Sequence, residues 1–253
     1  MSTPTIAAPP TWRAIDFLSD LHLSGAMPKT AAAWREHLLH TDADAVVILG
    51  DLFEVWVGDD ARSLPFEASC VRALAQAATR RSLMVMVGNR DFLMGPALLA
   101  DCGAICLHDP TVIEAFGERT LIAHGDAWCL GDVDYQRFRR LVRSEAWQQQ
   151  FLAQPLEVRQ EIAAGIRRES ASRRRYDGAA DADLDAEAVT SALQASGATV
   201  LVHGHTHRPG SGPFGIGMRH VLSDWDLDHG DRAEVLRWTR SGYERMRVPA
   251  PRP

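Results

Sequence analysis

The sequence predicts an α/β fold in which buried strands alternate with helices and end in polar side chains. Three observations support this prediction. Five short apolar runs each finish in polar residues, helical patterns separate the first three runs, and a strand-free stretch over 135–176 holds ten of the arginines. A chain of 253 residues is long enough for one such domain with an inserted segment.

The five apolar runs have the composition of strands that are covered on both faces. In chain order they read AIDFLSDLHL, AVVILGD, SLMVMVGNRD, TLIAHGD and TVLVHGHTH. Continuous Val, Ile, Leu and Met residues are typical of such strands. Helical patterns such as TAAAWREHLLH and FEASCVRALAQAATRR lie between the first three runs. Because open α/β sheets bind ligands beyond the carboxyl ends of their strands, we expect the terminal polar residues to share one site.

The stretch 135–176 is predicted to be helical, with a break near Pro155. Its ten arginines and four glutamates give it a net charge of +6, which leaves −12 for the rest of a chain whose total is −6. Apolar residues alternate with the arginines. One interpretation is an amphipathic helical segment whose apolar stripe packs on the main domain. The other is a cap that presents apolar and cationic surface to an anionic, lipid-like molecule or to a membrane face.

The remaining segments complete the expected organisation. RHVLSDWDL and AEVLRWT are predicted strands of an antiparallel edge or a second sheet. The termini MSTPTIAAPP and VPAPRP are expected to be frayed, and the first lacks the features of a signal peptide. The four cysteines form no CxxC pair, which favours reduced thiols and a cytoplasmic protein. No apolar run reaches the ~18 residues that a membrane span requires.

The polar residues at the ends of the five runs form a candidate metal site. They supply two carboxylates, one amide and four imidazoles: Asp20, His22, Asp51, Asn89, His124, His205 and His207. Residues two apart on an extended backbone point to the same side, so each D-x-H or H-x-H pair can reach one ion. This set is too rich for one tetrahedral zinc and lacks thiolates. It suits two divalent ions of the Mn²⁺, Fe²⁺ or Zn²⁺ kind, with Asp51 as a bridge.

In this order, D-x-H, GD, GN-x-D, an isolated His and GHxH resemble the calcineurin-like metallophosphoesterase superfamily over about residues 13–225. The resemblance implies a four-layer α/β/β/α sandwich. It also implies that Asp20, His22, Asp51 and His207 hold one metal ion, and that Asp51, Asn89, His124 and His205 hold the other. Two such ions activate water and neutralise phosphoryl oxygens, so the expected reaction is hydrolysis of a phosphoester or phosphoanhydride.

Within the superfamily, the motifs GDLFEVWVGDD, GNRDFL and HGHTHRP, together with the arginine-rich stretch, closely resemble the manganese-dependent UDP-2,3-diacylglucosamine diphosphatases of lipid A synthesis. That family releases UMP and a diacylated glucosamine 1-phosphate, and its insertion covers the acyl chains. The resemblance implies a core over 11–134 and 177–248 with a cap insertion over 135–176. It further implies a lipid substrate, Mn²⁺, and peripheral association with the cytoplasmic face of the inner membrane.

The resemblance also assigns individual residues. Catalysis would rest on Asp51, Asn89 and Arg90. At the position of Arg90 the general superfamily usually has His. An arginine keeps its proton but forms a bidentate fork on phosphate. The substrate contacts would be Asn89, Arg90, Asp132, Tyr135, Ser170, Arg174 and His205. For Asp132 and Tyr135 a helix N-cap and a packing tyrosine are equally open interpretations. The sequence departs from the family pattern in LSDWDLDHG and around Arg174, where a one-residue gap would instead put Arg175 in this position. These departures affect the details of head-group binding.

Three other functions share features with this sequence. A metallophosphoesterase acting on a soluble nucleotide or phosphodiester would be favoured if the helical stretch packed shut over the site without an apolar groove. A nuclease is disfavoured by the net charge of −6, so no nucleic-acid partner is expected. A scaffolding protein that has lost catalysis is disfavoured because all seven predicted ligands are present.

Overall fold

The computed structural model describes residues 3–177 and 183–250, with side chains described over 3–168 and 183–250. Two six-stranded sheets dominate the fold. The strands are β1 (Thr5–Ala7), β2 (Ala14–Leu18), β3 (Ala45–Leu49), β4 (Ser82–Met86), β5 (Ile105–Leu107), β6 (Thr111–Ala115), β7 (Glu118–Ala123), β8 (Val200–His203), β9 (Gly210–Phe214), β10 (Gly217–Val221), β11 (Glu234–Thr239) and β12 (Gly242–Arg247).

The helices flank these sheets. They are α1 (Pro28–His40), α2 (Pro65–Ala78), α3 (Pro96–Cys102), α4 (Val133–Val142), α5 (Glu145–Leu152), α6 (Leu156–Asp177) and α7 (Ala186–Ser196), with short 3₁₀ turns at Asp59–Ser63 and Asp126–Trp128. Prolines begin α1, α2 and α3, where the missing backbone N–H costs no hydrogen bond.

The predicted strands belong to two sheets. In the first sheet the order is β12-β11-β2-β3-β4-β5, with β2, β3, β4 and β5 parallel. In the second the order is β1-β6-β7-β8-β10-β9, with β7 and β8 parallel. The carboxyl ends of β2, β3 and β4 therefore share one edge, and those of β7 and β8 share another. All five apolar runs of the sequence analysis form strands, as predicted.

Three layers of apolar packing hold the fold together. Between the sheets lies a buried core that includes Phe17, Met86, Ile122 and Trp238. The outer face of the first sheet packs against α1, α2 and α3, and the outer face of the second sheet packs against α7. Strands that are apolar on both faces are therefore covered on both faces. The expected four-layer α/β/β/α sandwich is confirmed.

Helices α4 to α6, which we call the helical segment, follow the second 3₁₀ turn. The predicted break near Pro155 is present between α5 and α6, and a further break occurs at Ser144, whose hydroxyl caps α5. Within the segment, Phe151 is buried and its ring stacks on that of Trp147, with the centroids 4.7 Å apart. Leu141 and Leu152 remain exposed, so only part of the apolar stripe packs on the main body.

Two details differ from the expectations. Thr5–Ala7, expected to be frayed, forms β1 and pairs in parallel with β6, because the edge of β6 offers unpaired backbone groups. Of the two strands predicted after Thr206, β11 joins the first sheet antiparallel to β2, as expected, whereas β10 pairs in parallel with β8. Among the described residues, none of the helices combines the length and apolar character needed to cross a bilayer.

Candidate active site

The seven predicted ligands lie together beyond the carboxyl ends of five strands. Asp20 and His22 follow β2, Asp51 follows β3 and Asn89 follows β4. His124 follows β7, and His205 and His207 follow β8. The side-chain amide of Asn89, from the first sheet, lies 2.9 Å from ring nitrogens of His124 and His205, from the second. The site therefore bridges the two sheets at one edge of the sandwich.

The backbone of this site is strained. Within the described residues, six non-glycine residues have positive φ, and five of them are predicted ligands: Asp20 (53°), His22 (47°), Asp51 (52°), His205 (67°) and His207 (51°). Left-handed backbone costs a non-glycine residue of order 1–3 kcal/mol and is concentrated at functional sites. The strain turns these side chains away from the strand direction and toward one another.

One half of the site is formed by Asp20, His22 and His207. The Nε2 atoms of His22 and His207 lie 3.3 Å apart, and His207 Nε2 lies 3.3 Å from Asp20 Oδ1. The fully buried Asp20 also accepts hydrogen bonds from the Ser19 hydroxyl and the His205 backbone N–H. Burial alone would raise the pKa of Asp20, but His207, His124 and His22 outweigh it and hold that pKa far below its usual range.

The other half is formed by Asn89, His124 and His205, with Asp51 beside them. His124 Nε2 lies 3.8 Å from Asp51 Oδ1. The opposite nitrogen, Nδ1, donates to the Leu49 carbonyl at 2.8 Å, which fixes the ring so that Nε2 faces the site. Asp20, Asp51 and His124 offer ligand atoms within 4.8 Å of one another, so the carboxylates connect the two halves.

This donor set fits two divalent ions. Six ligand atoms at ~2.1 Å around one ion are ~3 Å apart, which is the spacing of the converging nitrogens and oxygens here. Imidazole nitrogens that face each other at 3.3 Å also need a shared proton or a cation between them. The ligands are nitrogen and oxygen without thiolate, as transition ions of the Mn²⁺ kind accept.

Asp91, which the sequence analysis did not single out, fixes the loops that carry Asp51 and Asn89. Its buried carboxylate accepts the backbone N–H groups of Gly88 and Leu52 at 2.7 Å and those of Asp51 and Phe53 at 3.3 Å. Burial, and then the charge of Asp51, raise the pKa of Asp91 to about 6. The available signal was its place in GNRD, two residues after a predicted ligand.

Arg90 lies at the mouth of the site. Its backbone N–H donates to Asp51 Oδ1 at 2.8 Å, and its largely buried guanidinium lies 3.4 Å from Glu54 Oε1. Glu54, another residue that the sequence analysis did not assign, also contacts Arg167 of α6. A guanidinium beside the two halves of the site can bind phosphate oxygens through its fork.

The predicted substrate residues of the helical segment have mixed placements. Asp132 caps α4 by accepting the Tyr135 backbone N–H at 2.9 Å. The Tyr135 hydroxyl donates to the buried Asp126 at 2.5 Å, and its ring centroid lies 5.9 Å from that of His205. The side chains of Ser170 and Arg174 lie outside the described residues.

Asp126 ties the helical segment to the site and was also missed from the sequence. Besides Tyr135, it accepts a hydrogen bond from Arg139 Nε at 2.7 Å. Arg143 Nη2 donates to the Gly88 carbonyl at 2.9 Å, directly before Asn89. Burial alone would raise the pKa of Asp126, but His124, Arg143 and Arg139 hold it far below its usual range. The partners of Asp126 are distant in the sequence, which is why its role could not be inferred there.

Comparison with known proteins decides the family. The profile of the calcineurin-like phosphoesterase family matches residues 14–209. The chain belongs to this family. It is 44% identical to "UDP-2,3-diacylglucosamine hydrolase" of Ralstonia nicotianae, over 94% of this chain and 92% of that protein. Proteins of the same name from Chromobacterium violaceum and Bordetella pertussis are 44% and 39% identical, each over 88% of this chain and over 94% and 88% of their own length.

Family membership makes the chain a metal-dependent hydrolase, as the sequence analysis predicted. The matched range begins with β2 and ends directly after His207, so it contains all seven predicted ligands. The observed geometry supplies a site at which such a family could bind its ions.

Replacing Gly204 with Ala should abolish metal binding. A Cβ atom at this position would lie 2.3 Å from Asp20 Oδ2 and 2.3 Å from Ser19 Oγ, so the Asp20 carboxylate would have to move. Metal content after dialysis against Mn²⁺ measures the effect. Gly25→Ala is the control because nothing lies within 4 Å of its Cβ position. A Gly204→Ala protein with full metal content would show that this close approach does not matter.

Metal affinity should fall as the pH is lowered below about 9. Burial would lower the pKa of His124, but Asp51, Asp126 and Asp20 outweigh it and raise the pKa to about 9 in the metal-free protein. His205 is already neutral, because burial and then the His124 charge lower its pKa to about 4. Burial would lower the pKa of His207, but the hydrogen bond and the charge of Asp20 outweigh it and raise that pKa. Metal must therefore displace the proton of His124 and, toward lower pH, that of His207, so affinity falls by at least about tenfold per pH unit.

Calorimetric titration with Mn²⁺ between pH 6.5 and 8.5, in buffers of different ionisation enthalpy, measures the displaced protons. Release of at least one proton per chain, with more released toward pH 6.5, agrees with the expectation. Binding without proton release would contradict the protonated state of His124.

Proposed function

We propose that the chain hydrolyses the pyrophosphate bond of UDP-2,3-diacylglucosamine to UMP and 2,3-diacylglucosamine 1-phosphate, a step of lipid A synthesis. The observation that carries the proposal is the convergence of seven nitrogen and oxygen ligands at one edge of the sandwich. The chain is also 44% identical, over nearly its whole length, to a protein named for this substrate. The proposed cofactor is a pair of divalent ions, with Mn²⁺ as the physiological metal.

Each part of the site then has a role. Asp20, His22, Asp51 and His207 would hold one ion, and Asp51, Asn89, His124 and His205 the other. When bound, such ions supply a nucleophile from water and neutralise charge on the phosphoryl oxygens. Asp51, whose Oδ1 accepts the Arg90 backbone N–H, would bind both ions. The leaving phosphate needs little protonation, which suits an arginine at the position after Asn89.

The proposed domain division has a core over 11–134 and 177–248 and a cap over 135–176. The inner side of the helical segment is tied to the core by ion pairs, such as Arg159 with Asp60 and Arg139 with Asp126. Its partly exposed apolar side chains include Val133, Leu141, Leu152 and Ile162. Such a surface supports a site for acyl chains rather than a segment packed fully shut.

The remaining proposed substrate contacts come from both parts of the chain. Asn89, Arg90 and His205 lie at the two halves of the site. Tyr135 offers its ring, since its hydroxyl is bound to Asp126. We retain Asp132, Ser170 and Arg174 as proposed contacts on the family resemblance.

We also propose peripheral association with the cytoplasmic face of the inner membrane. The outer side of α4 exposes Val133 (54%) and Leu141 (56%) next to the exposed Arg137 and Arg140. Apolar and cationic side chains on one helix side favour insertion at an anionic lipid surface.

The substrate assay tests the proposed reaction. The purified chain is expected to release UMP from UDP-2,3-diacylglucosamine in the presence of Mn²⁺, and EDTA should abolish this release. UDP-N-acetylglucosamine and a chromogenic phosphodiester serve as small comparison substrates. Equal turnover of all three would leave the two-ion site intact and replace the lipid substrate with a soluble nucleotide or phosphodiester.

Replacing Arg90 with Ala should lower kcat/KM by about 10- to 100-fold, the value of a lost charged hydrogen bond. Metal content should be unchanged, because the 2.8 Å hydrogen bond to Asp51 comes from the Arg90 backbone, which Ala keeps, and the guanidinium approaches Asp51 only to 3.9 Å. Arg90→Lys should recover part of the loss, since lysine keeps the charge but not the fork. Loss of metal in Arg90→Ala would show that the guanidinium supports the ions instead of binding phosphate.

Substituting Arg137 and Arg140 together with Ser should weaken sedimentation with phosphatidylglycerol vesicles at low salt. The matched control is Arg80→Ser with Arg240→Ser, which removes the same charge from exposed positions outside the helical segment. Each arginine near an anionic surface contributes about 1 kcal/mol. Equal binding by both double variants would contradict a specific role for α4.

A further inference from the structure

Glu54 lies where the metal site meets the helical segment. It follows β3 in the loop 50–58, and its backbone N–H donates to the Leu23 carbonyl at 3.1 Å. This bond fixes the loop beside the segment that carries His22. The Glu54 side chain is 37% exposed, so it faces the mouth of the site rather than the core.

The carboxylate of Glu54 contacts three functional side chains from three parts of the chain. Its Oε2 lies 3.2 Å from Nδ1 of His22. Its Oε1 lies 3.4 Å from Nη1 of Arg90, in the loop after β4, and also contacts Nη2 of Arg167, in α6. One side chain therefore joins a predicted metal ligand, a predicted phosphate contact and the helical segment.

The charges explain why a carboxylate is needed at this position. Two guanidinium groups that approach the same point repel each other, and the negative charge of Glu54 relieves this repulsion. Two arginine forks held in this way are preorganised for an anionic group, so less conformational entropy is lost when it binds. The contact with His22 holds the Nδ1 side of the ring, and Nε2 then faces His207.

The helical segment has other attachments to the core. Arg159 of α6 contacts Asp60 and donates to the Val57 carbonyl at 2.5 Å, and Arg139 and Arg143 of the same segment reach Asp126 and Gly88. Loss of the Glu54 contact would therefore change the position of Arg167 without detaching the segment. This separates a positioning role from a purely structural one.

We propose that Glu54 is a positioning residue that holds Arg90 of the core and Arg167 of the helical segment together for an anionic diphosphate, and that orients the metal ligand His22. The proposal rests on the proposed function for the identity of the substrate. Its structural part, the link between His22, Glu54 and α6, stands on the contacts alone.

The test compares Glu54→Gln, Glu54→Ala, Arg167→Gln and the double variant Glu54→Gln/Arg167→Gln. Glutamine keeps the size of the side chain beside His22 but removes the charge that pairs with the arginines. Glu54→Gln should raise KM for UDP-2,3-diacylglucosamine about tenfold, with kcat changed less than about threefold. Its effect on a small chromogenic phosphodiester should be within about twofold. The double variant should be no worse than the more impaired single variant, because both remove one contact.

Two readouts do not depend on turnover. Hydrogen exchange over residues 156–168 should be faster in Glu54→Gln than in the wild type. Calorimetric Mn²⁺ affinity should be unchanged in Glu54→Gln and about tenfold weaker in Glu54→Ala, where the His22 ring loses the side chain that contacts Nδ1. Glu114→Gln is the matched control, since Glu114 is 39% exposed and pairs with Arg119 on the second sheet.

Equal loss with both substrates, additive effects in the double variant, or loss of metal in Glu54→Gln would overturn the proposal. If the wild type does not hydrolyse the diacylated substrate, the proposed function fails, but the other two readouts still decide the role of Glu54. Unchanged exchange over 156–168 together with unchanged Mn²⁺ affinity in Glu54→Ala would then refute it.

Discussion

The rest of the site depends on the close approach of buried ligand atoms from two sheets. Two carboxylates, four imidazoles and one amide meet at separations of about 3–4 Å, where lone pairs and like charges repel. Positive backbone φ at five of these residues and the absence of a Cβ at Gly204 and Gly88 permit that approach. Divalent cations at this site would offset these costs. Each ligand atom would then be attracted to an ion more strongly than it is repelled by the neighbouring ligand atoms.

A further layer of carboxylates holds this arrangement in place. Asp91 accepts hydrogen bonds from backbone N–H groups of two loops, and Asp126 accepts hydrogen bonds from two side chains of α4. Glu54 lies between the first loop and α6. The helical segment is thus joined to the loops of the metal site by charged contacts. This gives a physical basis for coupling between the binding of a lipid-like substrate and the geometry of the reacting site.

The strands and the ligands could be predicted because their signals are local. An apolar run that ends in D-x-H or H-x-H indicates both a strand and a site, and all five runs form strands. The roles of Asp126 and Glu54 could not be predicted, since their partners are 13 and 113 residues away in Arg139 and Arg167. Strand β1 was missed for a similar reason: three residues carry little pattern, and the pairing depends on the free edge of β6. For Tyr135 the sequence left two roles open, a substrate contact or a packing residue of the helical segment. In the folded chain its hydroxyl donates to Asp126.

The most direct test of a two-ion site bridged by Asp51 is the electron paramagnetic resonance spectrum of the Mn²⁺-loaded chain, together with its metal content. We expect two Mn²⁺ per chain and a spectrum of exchange-coupled ions, and an Asp51→Asn variant should weaken or lose this coupling. One ion per chain, or two ions with uncoupled spectra in the wild type, would contradict the bridged site on which the proposed reaction depends.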